Sequence, residues 1–276
     1  MQLISQAGVS VNRRIGSAPS VAGGTAPSEN RPAFRVEWAR TAQDVREAQR
    51  LRYQVFVGEM GAALQADEQS VNGHDIDFFD DFCEHLLVRA DGGTQDGEVI
   101  ATCRILSPAG AMRAGRRYTD LEFDLAPIED LLAHTLEMGR VCVHRNWRNG
   151  LLVMALWREI GRRMSLEELG TLIGCCSVTL DANGAVARRL WHDLQHDHLA
   201  PPHRRVTASH PLNVGSCETG PAAPVPALLK GYLRCGGKLL GPPAIDRLFN
   251  TADFPMYMCL SDLPARYRTR IFGTSL

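Results

Sequence analysis

A strand, a basic loop and the start of a helix follow one another between residues 137 and 164. Val141 and Val143 alternate with a cysteine in a short β-branched run, which predicts a strand. The polar loop after it contains Arg148 and Gly150, and an amphipathic helix follows from residue 151. Free N–H groups and the positive end of a helix dipole favour an anion at such a junction. The pattern indicates either a phosphate site or a loop that only connects two core elements.

Glu137 and Arg140 lie directly before this predicted strand. A carboxylate at the end of a strand can act as a general base when a substrate proton is within reach. The same carboxylate can instead be the structural ion-pair partner of an arginine three residues away. The sequence leaves both interpretations open.

Two further arginines lie in predicted regular elements. A capping box at Thr41–Asp44 predicts a helix that carries Arg52 and Phe56 one turn apart. Arg104 lies in the second strand of a predicted antiparallel hairpin that begins at His85. Taken one at a time, each arginine is typical of a solvated surface position.

An acidic segment with interleaved aromatic residues contains Asp77 and Asp80. Its carboxylates do not have the spacing of a calcium-binding loop. A histidine-rich stretch around residues 192–203 has no glutamate in the arrangement of a zinc protease helix. We therefore predict no metal site.

Composition limits the class of protein. The chain has 276 residues, 45% of them hydrophobic, and a formal net charge of −1, which gives no electrostatic argument for nucleic acid. Its eight cysteines form no Cys-x-x-Cys pair, which favours reduced thiols in a cytoplasmic protein. No apolar run approaches the ~20 residues that span a bilayer, and the first 30 residues lack the apolar region of a secretory signal.

The order of elements predicts an α/β fold. We expect a mobile tail over residues 1–32, because this segment has no hydrophobic periodicity. The strand at residue 141, the helix after it and an apolar strand over residues 171–180 form a β–α–β unit with parallel strands. A helix over residues 125–136 and a last strand over residues 256–260 are also predicted.

Several phrases in order along the chain carry a family resemblance. They are Leu51-Arg-Tyr-Gln-Val-Phe56, Asp77-Phe-Phe-Asp80, Cys103-Arg-Ile-Leu106, Glu137-Met-Gly-Arg-Val-Cys-Val-His144, Leu229-Lys-Gly-Tyr-Leu-Arg234 and the run from Ile245 to Asp253. Together they resemble the L-ornithine Nα-acyltransferases, a GNAT-like family. The N-terminal two thirds is more distantly similar to the acyl-homoserine-lactone synthases. The glycine follows Arg148 by two positions, whereas the usual GNAT donor motif has it at three.

The resemblance implies a fold and a domain organisation. We expect a GNAT-like mixed central sheet flanked by helices, with an acyltransferase core over residues 33–184. Residues 185–276 would form a C-terminal α/β extension that completes the sheet and the substrate site.

The resemblance also implies a reaction, in which a 3-hydroxy fatty acyl group moves from acyl carrier protein to the α-amine of L-ornithine. The phosphopantetheine arm belongs to the donor, so no permanently bound cofactor is expected. The expected location is the cytoplasm, with transient contact at the inner-membrane surface.

Site residues carry over from the matching motifs. Glu137 and Arg140 are expected to be catalytic, and strand N–H groups to bind the oxyanion. The residues expected to form the acceptor site are Arg52, Phe56, Asp77, Asp80 and Arg104. The residues expected to bind the acyl donor are Val141, Val143, Arg148 and Gly150. Charge complementarity, and not a family motif, suggests the arginines expected to dock the acidic carrier protein, which are Arg113, Arg116, Arg117, Arg158 and Arg162.

Three functions remain open from the sequence. The first is the ornithine acyltransferase described above. The second is a related acyltransferase that uses another amino acid or acyl-CoA. The third is a non-catalytic, membrane-active protein whose amphipathic helix over residues 151–164 inserts into lipid.

Overall fold

The structure, a computed structural model, describes residues 33–63, 72–148, 150–181, 184–215 and 223–272, without the side chains of residues 270–272. The tail predicted over residues 1–32 lies outside the described residues. The strands are β1 (Ala33–Trp38), β2 (Glu84–Asp91), β3 (Val99–Leu106), β4 (Phe123–Asp124), β5 (Thr135–Val143), β6 (Thr171–Thr179), β7 (Thr207–Ala208), β8 (Lys238–Leu239), β9 (Ala244–Asp246) and β10 (Thr251–Cys259). The helices are α1 (Ala42–Tyr53), α2 (Pro108–Ala114), α3 (Glu129–Leu132), α4 (Gly150–Leu166), α5 (Ala185–His198), α6 (Ala227–Arg234) and α7 (Ala265–Phe272).

An eight-stranded mixed sheet organises the described residues, in the order β1-β2-β3-β5-β6-β10-β8, with β9 also paired to β10. Strands β5 and β6 are parallel, while the other pairs in this sheet are antiparallel. The predicted hairpin of β2 and β3 and the parallel β–α–β unit are confirmed. Strands β4 and β7 form a separate antiparallel pair.

Helices cover the sheet on two faces. Leu152, Leu156 and Ile160 of α4 are buried in one core cluster together with Cys103 and Ile105 of β3. Because side chains alternate along a strand, Arg104 projects to the opposite face, where α1 packs against β3. The arginine of β3 is thus placed on the side of Arg52.

The capping box that was predicted at the start of α1 is present: the Thr41 hydroxyl accepts from the Asp44 backbone N–H, and Asp44 accepts from the Thr41 N–H. After α1 the chain continues as a wider π-helical segment over Gln54–Glu59. Phe56 lies in this segment. Segments of this kind often occur beside functional sites.

Three sequence predictions about element boundaries are wrong. The helix predicted over residues 125–136 is a 3₁₀ turn at Ala126–Ile128 followed by the four-residue α3, because Pro127 occupies the 3₁₀ turn and Thr135 already belongs to β5. Glu137 is therefore the third residue of β5 and does not precede the strand. The last strand, β10, begins at Thr251, five residues before its predicted start at Met256.

The predicted boundary between residues 33–184 and 185–276 stays a prediction. Strands β8, β9 and β10 come from the later segment and pair in the same sheet as β1–β6. None of the described helices combines the length and the apolar composition that crossing a bilayer requires.

Candidate active site

A cavity of about 760 Å³ lies where β5 and β6 separate. Their parallel pairing covers only Thr135–Glu137 and Thr171–Ile173. Beyond these residues both strands line the cavity, β5 with residues 137–143 and β6 with residues 175–177. Backbone N–H groups on the open side of β5 can therefore face a ligand instead of a neighbouring strand.

A bulge in β5 turns Arg140 toward this cavity. The pairing with β3 passes from Thr102–Cys142 to Arg104–Gly139, so two residues of β5 oppose one residue of β3. Arg140 has a φ of 51°, which is in the left-handed region. Such strain in a non-glycine residue persists only when its surroundings hold it, and bulges often redirect a side chain at an active site.

Three arginines and three aspartates hold one another in a closed charge ring, in which each arginine contacts two aspartates. The Arg52 Nε atom is 2.8 Å from Asp75 Oδ2, and its Nη1 atom is 2.8 Å from Asp80 Oδ1. Arg104 Nη1 contacts Asp77 Oδ1 and lies 2.9 Å from Asp80 Oδ1. Arg140 closes the ring, with its Nη2 atom 2.8 Å from Asp77 Oδ2 and its Nε atom 3.2 Å from Asp75 Oδ2.

The ring is buried, and its charges compensate one another. Arg52 is 0% exposed and Arg104 is 3% exposed. The pKa values of Asp77 and Asp80 are lowered by the adjacent guanidinium groups, which outweigh the desolvation of the carboxylates. Burial lowers the pKa of His85, beside Asp80, to about 4, so this imidazole is neutral at physiological pH. Arg52 and Arg104 are therefore buried, paired residues of the motifs that the resemblance assigned to the acceptor site, and they are not solvated surface residues.

The structure brings together all the residues predicted for the acceptor site but gives them different positions. Phe56 lines the cavity, as does Arg140. The other four are not among the described residues that line it: Arg52, Asp77, Asp80 and Arg104. They lie behind the wall, where Asp77 contacts Arg140 directly and the other three hold it through the ring. Their predicted role in contacting the acceptor stays a prediction.

Glu137 is buried on the cavity wall, with 3% of its surface exposed. Its Oε1 atom accepts from the Thr119 N–H and hydroxyl, each at 2.6 Å, and Oε2 accepts from the Tyr118 N–H at 3.2 Å. Burial raises the pKa of Glu137 despite these donors. Since each carboxylate oxygen can accept two hydrogen bonds, Oε2 keeps capacity for a substrate proton. Arg140 pairs with aspartates and Tyr118, and no Glu137–Arg140 ion pair occurs among the described residues.

One end of the cavity is acidic. Asp246 and Asp253 line it, and the Glu122 and Asp253 carboxylates and the Cys175 thiol have ligand atoms within 4.8 Å of one another. Burial and the neighbouring carboxylates raise the pKa of Glu122 to about 9 and that of Asp253 to about 6. Burial also raises the pKa of the Cys175 thiol. At neutral pH a protonated Glu122 and thiol are poor metal ligands, whereas an organic cation can pair with the carboxylates.

The residues predicted to bind the donor line the cavity away from the acidic end: Val141, Val143, Arg148 and Gly150. Arg148 is engaged, because its Nη2 atom is 2.6 Å from Glu59 Oε2 and its Nε atom donates to the Val143 carbonyl at 3.2 Å. Lys230 and Arg234 of α6 also line the cavity and are exposed. They lie four residues apart, one helical turn, so their charges share a face.

The predicted docking arginines have unequal accessibility. Arg113, Arg116 and Arg158 are exposed. Arg162 is exposed but paired with Glu159 at 2.6 Å. The inclusion of Arg117 is wrong, because it is 5% exposed, donates to the Leu132 carbonyl at 2.6 Å, and has its pKa lowered by burial.

The sequence prediction missed Asp75, the third aspartate of the ring, and the acidic end of the cavity. Asp75 lies in the acidic segment that the sequence had singled out, two residues before Asp77. Asp246 and Asp253 lie in the Ile245–Asp253 phrase that carries the resemblance. These aspartates therefore lie in segments that the sequence had marked, but only the fold shows which carboxylates lie close together.

Comparison with known proteins agrees with this fold. The Acetyltransferase (GNAT) domain family matches residues 51–158. The crystal structure of the AHL synthase LasI superposes with a TM-score of 0.50 at 14% identity, covering 89% of this chain and 98% of that chain, which supports the fold. The protein is therefore an acyltransferase with a GNAT fold.

Sequence relatives define the family more narrowly. An L-ornithine N(alpha)-acyltransferase of Rhodobacter capsulatus is 34% identical over 86% of this chain and 93% of the relative. One of Agrobacterium fabrum is 28% identical over 83% of this chain and 82% of the relative. The chain belongs to the L-ornithine Nα-acyltransferase family.

Proposed function

We propose that this enzyme transfers a 3-hydroxy fatty acyl group from acyl carrier protein to the α-amine of L-ornithine, which yields lyso-ornithine lipid. The observation that carries the proposal is one cavity with an acidic end, a buried carboxylate of raised pKa and a basic mouth. The acidic end suits a diamino acid acceptor, the buried carboxylate suits proton removal, and the basic mouth suits a phosphate-bearing donor. The family relatives, named for ornithine, support the choice of acceptor.

The acidic end suits the δ-ammonium group of ornithine. Asp246 and Asp253 face the cavity, and Asp253 is only 4% exposed. Burial and, after it, the carboxylate of Asp246 raise the pKa of Asp253, and the positive charge of Arg140 offsets this only in part. An ammonium group at this place would add a second cation. Arg140, whose guanidinium lies 4.6 Å from the Phe249 ring centroid, is positioned on the same cavity to hold the α-carboxylate.

The reaction is aminolysis of a thioester. Glu137, directly or through a water molecule, accepts a proton from the α-ammonium group, and the neutral amine then attacks the thioester carbonyl. N–H groups on the open side of β5 stabilise the oxyanion of the tetrahedral intermediate. Collapse of the intermediate breaks the carbon–sulfur bond, and the second proton lost by the attacking nitrogen passes to the sulfur, so the carrier leaves as a thiol.

Replacement of Asp253 by asparagine is expected to stabilise the protein while weakening acceptor binding. Folding raises the pKa of Asp253, so the folded state holds this proton more tightly. Stability is therefore lost as the pH rises from the ordinary aspartate value through about 6. We expect Asp253→Asn to raise Tm at pH 8 by roughly 2–4 °C and KM for ornithine by about tenfold or more.

The control for this prediction is Asp181→Asn, at an exposed aspartate outside the cavity lining whose Oδ1 atom accepts from the Ala185 N–H at 2.7 Å. Asparagine can keep this hydrogen bond, so Tm should not rise and KM for ornithine should not change. Assays with a chelator separate a metal from an ammonium group as the cation at this end. A lower Tm for Asp253→Asn, or an unchanged KM for ornithine, would contradict the assignment.

The donor is expected to be the carrier protein, with Lys230 and Arg234 at the cavity mouth attracting its phosphate and acidic surface. Charged side chains at the rim of a binding site mainly change the association rate, and salt screens their effect. Changing both to alanine should lower kcat/KM for the acyl carrier by about tenfold at low ionic strength, with little change in kcat. Stopped-flow assays across a salt series measure this effect.

The matched control replaces Arg46 and Arg50, two exposed arginines four residues apart on α1, and should leave kcat/KM nearly unchanged. Equal kcat/KM with acyl-CoA, or a rate with the carrier that does not depend on salt, would rule out this donor.

The function itself is tested by the lipids of a bacterial host that lacks ornithine lipids. Expression of the wild-type enzyme should add a lyso-ornithine lipid to the mass spectrum, and a Glu137→Gln variant should not. Another acylated amino acid would replace ornithine as the acceptor. Lysis of membranes by the purified protein without donor would favour the membrane-active alternative. The apolar side of α4 gives that alternative no support, because Leu152, Leu156 and Ile160 are buried in the core.

A further inference from the structure

Part of the cavity wall, here called the apolar arm, is formed by mostly nonpolar side chains of α4, of α7, and of α6 with its C-cap residue. The described residues that line this arm are Val153, Met154, Trp157, Leu228, Cys235 and Tyr267. Trp157 is 2% exposed, and its Nε1 atom has no hydrogen-bond partner among the described residues. A buried indole N–H in an apolar wall is therefore left unpaired.

The neighbouring helix leaves the edge of this indole uncovered by a side chain. A Cβ atom on Gly231 would lie 3.1 Å from Trp157 Nε1, so a larger residue at this position would press on the N–H group. Glycine in the middle of a helix is unfavourable, which calls for a local reason. Gly231 lines the cavity next to Trp157.

The ring itself is held in place. The Tyr232 ring lies edge-on to the indole, with 4.8 Å between the centroids. Tyr232 is 0% exposed, so it cannot move aside without opening the core. The N–H direction is thus fixed before any ligand arrives.

The chemistry of the group limits its partner. An indole N–H only donates, so the partner must bring an acceptor oxygen or nitrogen. A plain hydrocarbon chain has no acceptor and would bury the donor unpaired, which is costly. A hydroxyl group on the acyl chain provides an oxygen while leaving the rest of the arm apolar.

Resting on the proposed function, we propose that Trp157 is the residue that selects a 3-hydroxylated acyl chain, with its Nε1–H donating to the 3-hydroxyl oxygen. Gly231 keeps this donor free of side-chain cover. A carbonyl oxygen of the phosphopantetheine arm is the other acceptor on the same donor molecule. Unlike the 3-hydroxyl group, this carbonyl oxygen is present in every acyl carrier, whether or not its acyl chain is hydroxylated.

The test compares two acyl carriers of equal chain length, one with and one without the 3-hydroxyl group. In the wild-type enzyme, kcat/KM should favour the hydroxylated donor. Trp157→Phe should reduce this preference by about tenfold, mainly by slowing the hydroxylated donor, since one neutral hydrogen bond is lost. Gly231→Ala should reduce it in the same direction, and it provides a second variant if Trp157→Phe does not fold.

Trp147→Phe is the matched control. Trp147 Nε1 donates to Gln95 Oε1 at 2.9 Å, and Trp147 does not line the cavity. The same chemical change there should leave the donor preference unaltered. Thermal unfolding of each variant checks that the fold is retained.

Three results would overturn the proposal: a wild-type enzyme without preference for the hydroxylated donor, an unchanged preference in both variants, or an equal loss with both donors. The last result would assign the indole to the shared phosphopantetheine arm. Kd values for the two carriers, measured without any amino acid, test the selection independently. Failure of ornithine as acceptor with every donor would instead count against the proposed function.

Discussion

Glu137→Gln is expected to lower kcat for acyl transfer by about 10²–10⁴-fold at saturating ornithine. Glutamine is close in size to glutamate but cannot accept the amine proton. Burial raises the pKa of Glu137, which makes its carboxylate a stronger base than a surface glutamate. The wild-type rate should therefore rise with pH through a limb above the usual glutamate range, and the variant should lose that limb.

The variant also has a predictable structural cost. Oε1 accepts two hydrogen bonds from Thr119, so glutamine would keep its oxygen at that position. Its NH2 group would then face the Tyr118 N–H, which is also a donor. This mismatch should cost about 1–3 kcal/mol of unfolding free energy. Ile100→Val, in the core of β3 and outside the cavity lining, should cost about 0.5–1.5 kcal/mol and leave kcat intact.

Comparing the two variants separates chemistry from stability. If Glu137→Gln retains kcat within about tenfold of wild type over pH 7–9, Glu137 is not the base. If both variants lose activity in proportion to their loss of stability, Glu137 serves to hold the loop at Tyr118 and Thr119.

Arg52→Met should lower the free energy of unfolding by about 3–5 kcal/mol. The change removes one member of the charge ring and leaves one net buried negative charge, because Asp75 and Asp80 each keep only one arginine partner. Arg140 would lose its fixed neighbours, so kcat should fall as well. Arg50→Met, at an exposed position on the same helix, should stay within about 0.5 kcal/mol of wild type.

The pH dependence gives a second readout for the ring. The folded-state pKa of Asp80 is lowered, so its stabilising contribution is complete above the ordinary aspartate pKa and is lost as the pH falls below about 4. The stability difference between wild type and Arg52→Met should therefore narrow in acid, as measured by urea unfolding at several pH values. A constant difference down to pH 2 would contradict this origin.

The sequence predicted much of the central sheet, because its strands have local signatures. The β2–β3 hairpin was predicted from its local pattern, and the apolar run of β6 indicated a strand. The start of β5 was missed because it has no such local signature. Thr135–Glu137 become a strand by pairing with Thr171–Ile173, a contact across 36 residues that local propensity does not contain.

The candidate site was predicted in its residue types more than in its arrangement. The family motifs assigned the arginines and aspartates to one acceptor site, and buried charges of opposite sign are expected to pair. Which members face substrate depends on the bulge at Arg140 and on the side of the sheet that α1 covers. Glu122 and Asp253 are 131 residues apart in sequence, so their proximity appears only in the fold.

The charge ring has an even number of members with strictly alternating sign, and this parity restricts how its sequence can change. Exchanging one pair, Arg52 with Asp80, would restore that pair but place an aspartate beside Asp75 and an arginine beside Arg104. A compensating charge swap, which rescues an isolated salt bridge, therefore creates two like-charge contacts here. Only reversal of all six signs would keep the alternation. Variation can enter the ring more easily by replacing an adjacent pair with neutral residues than by moving charge around it.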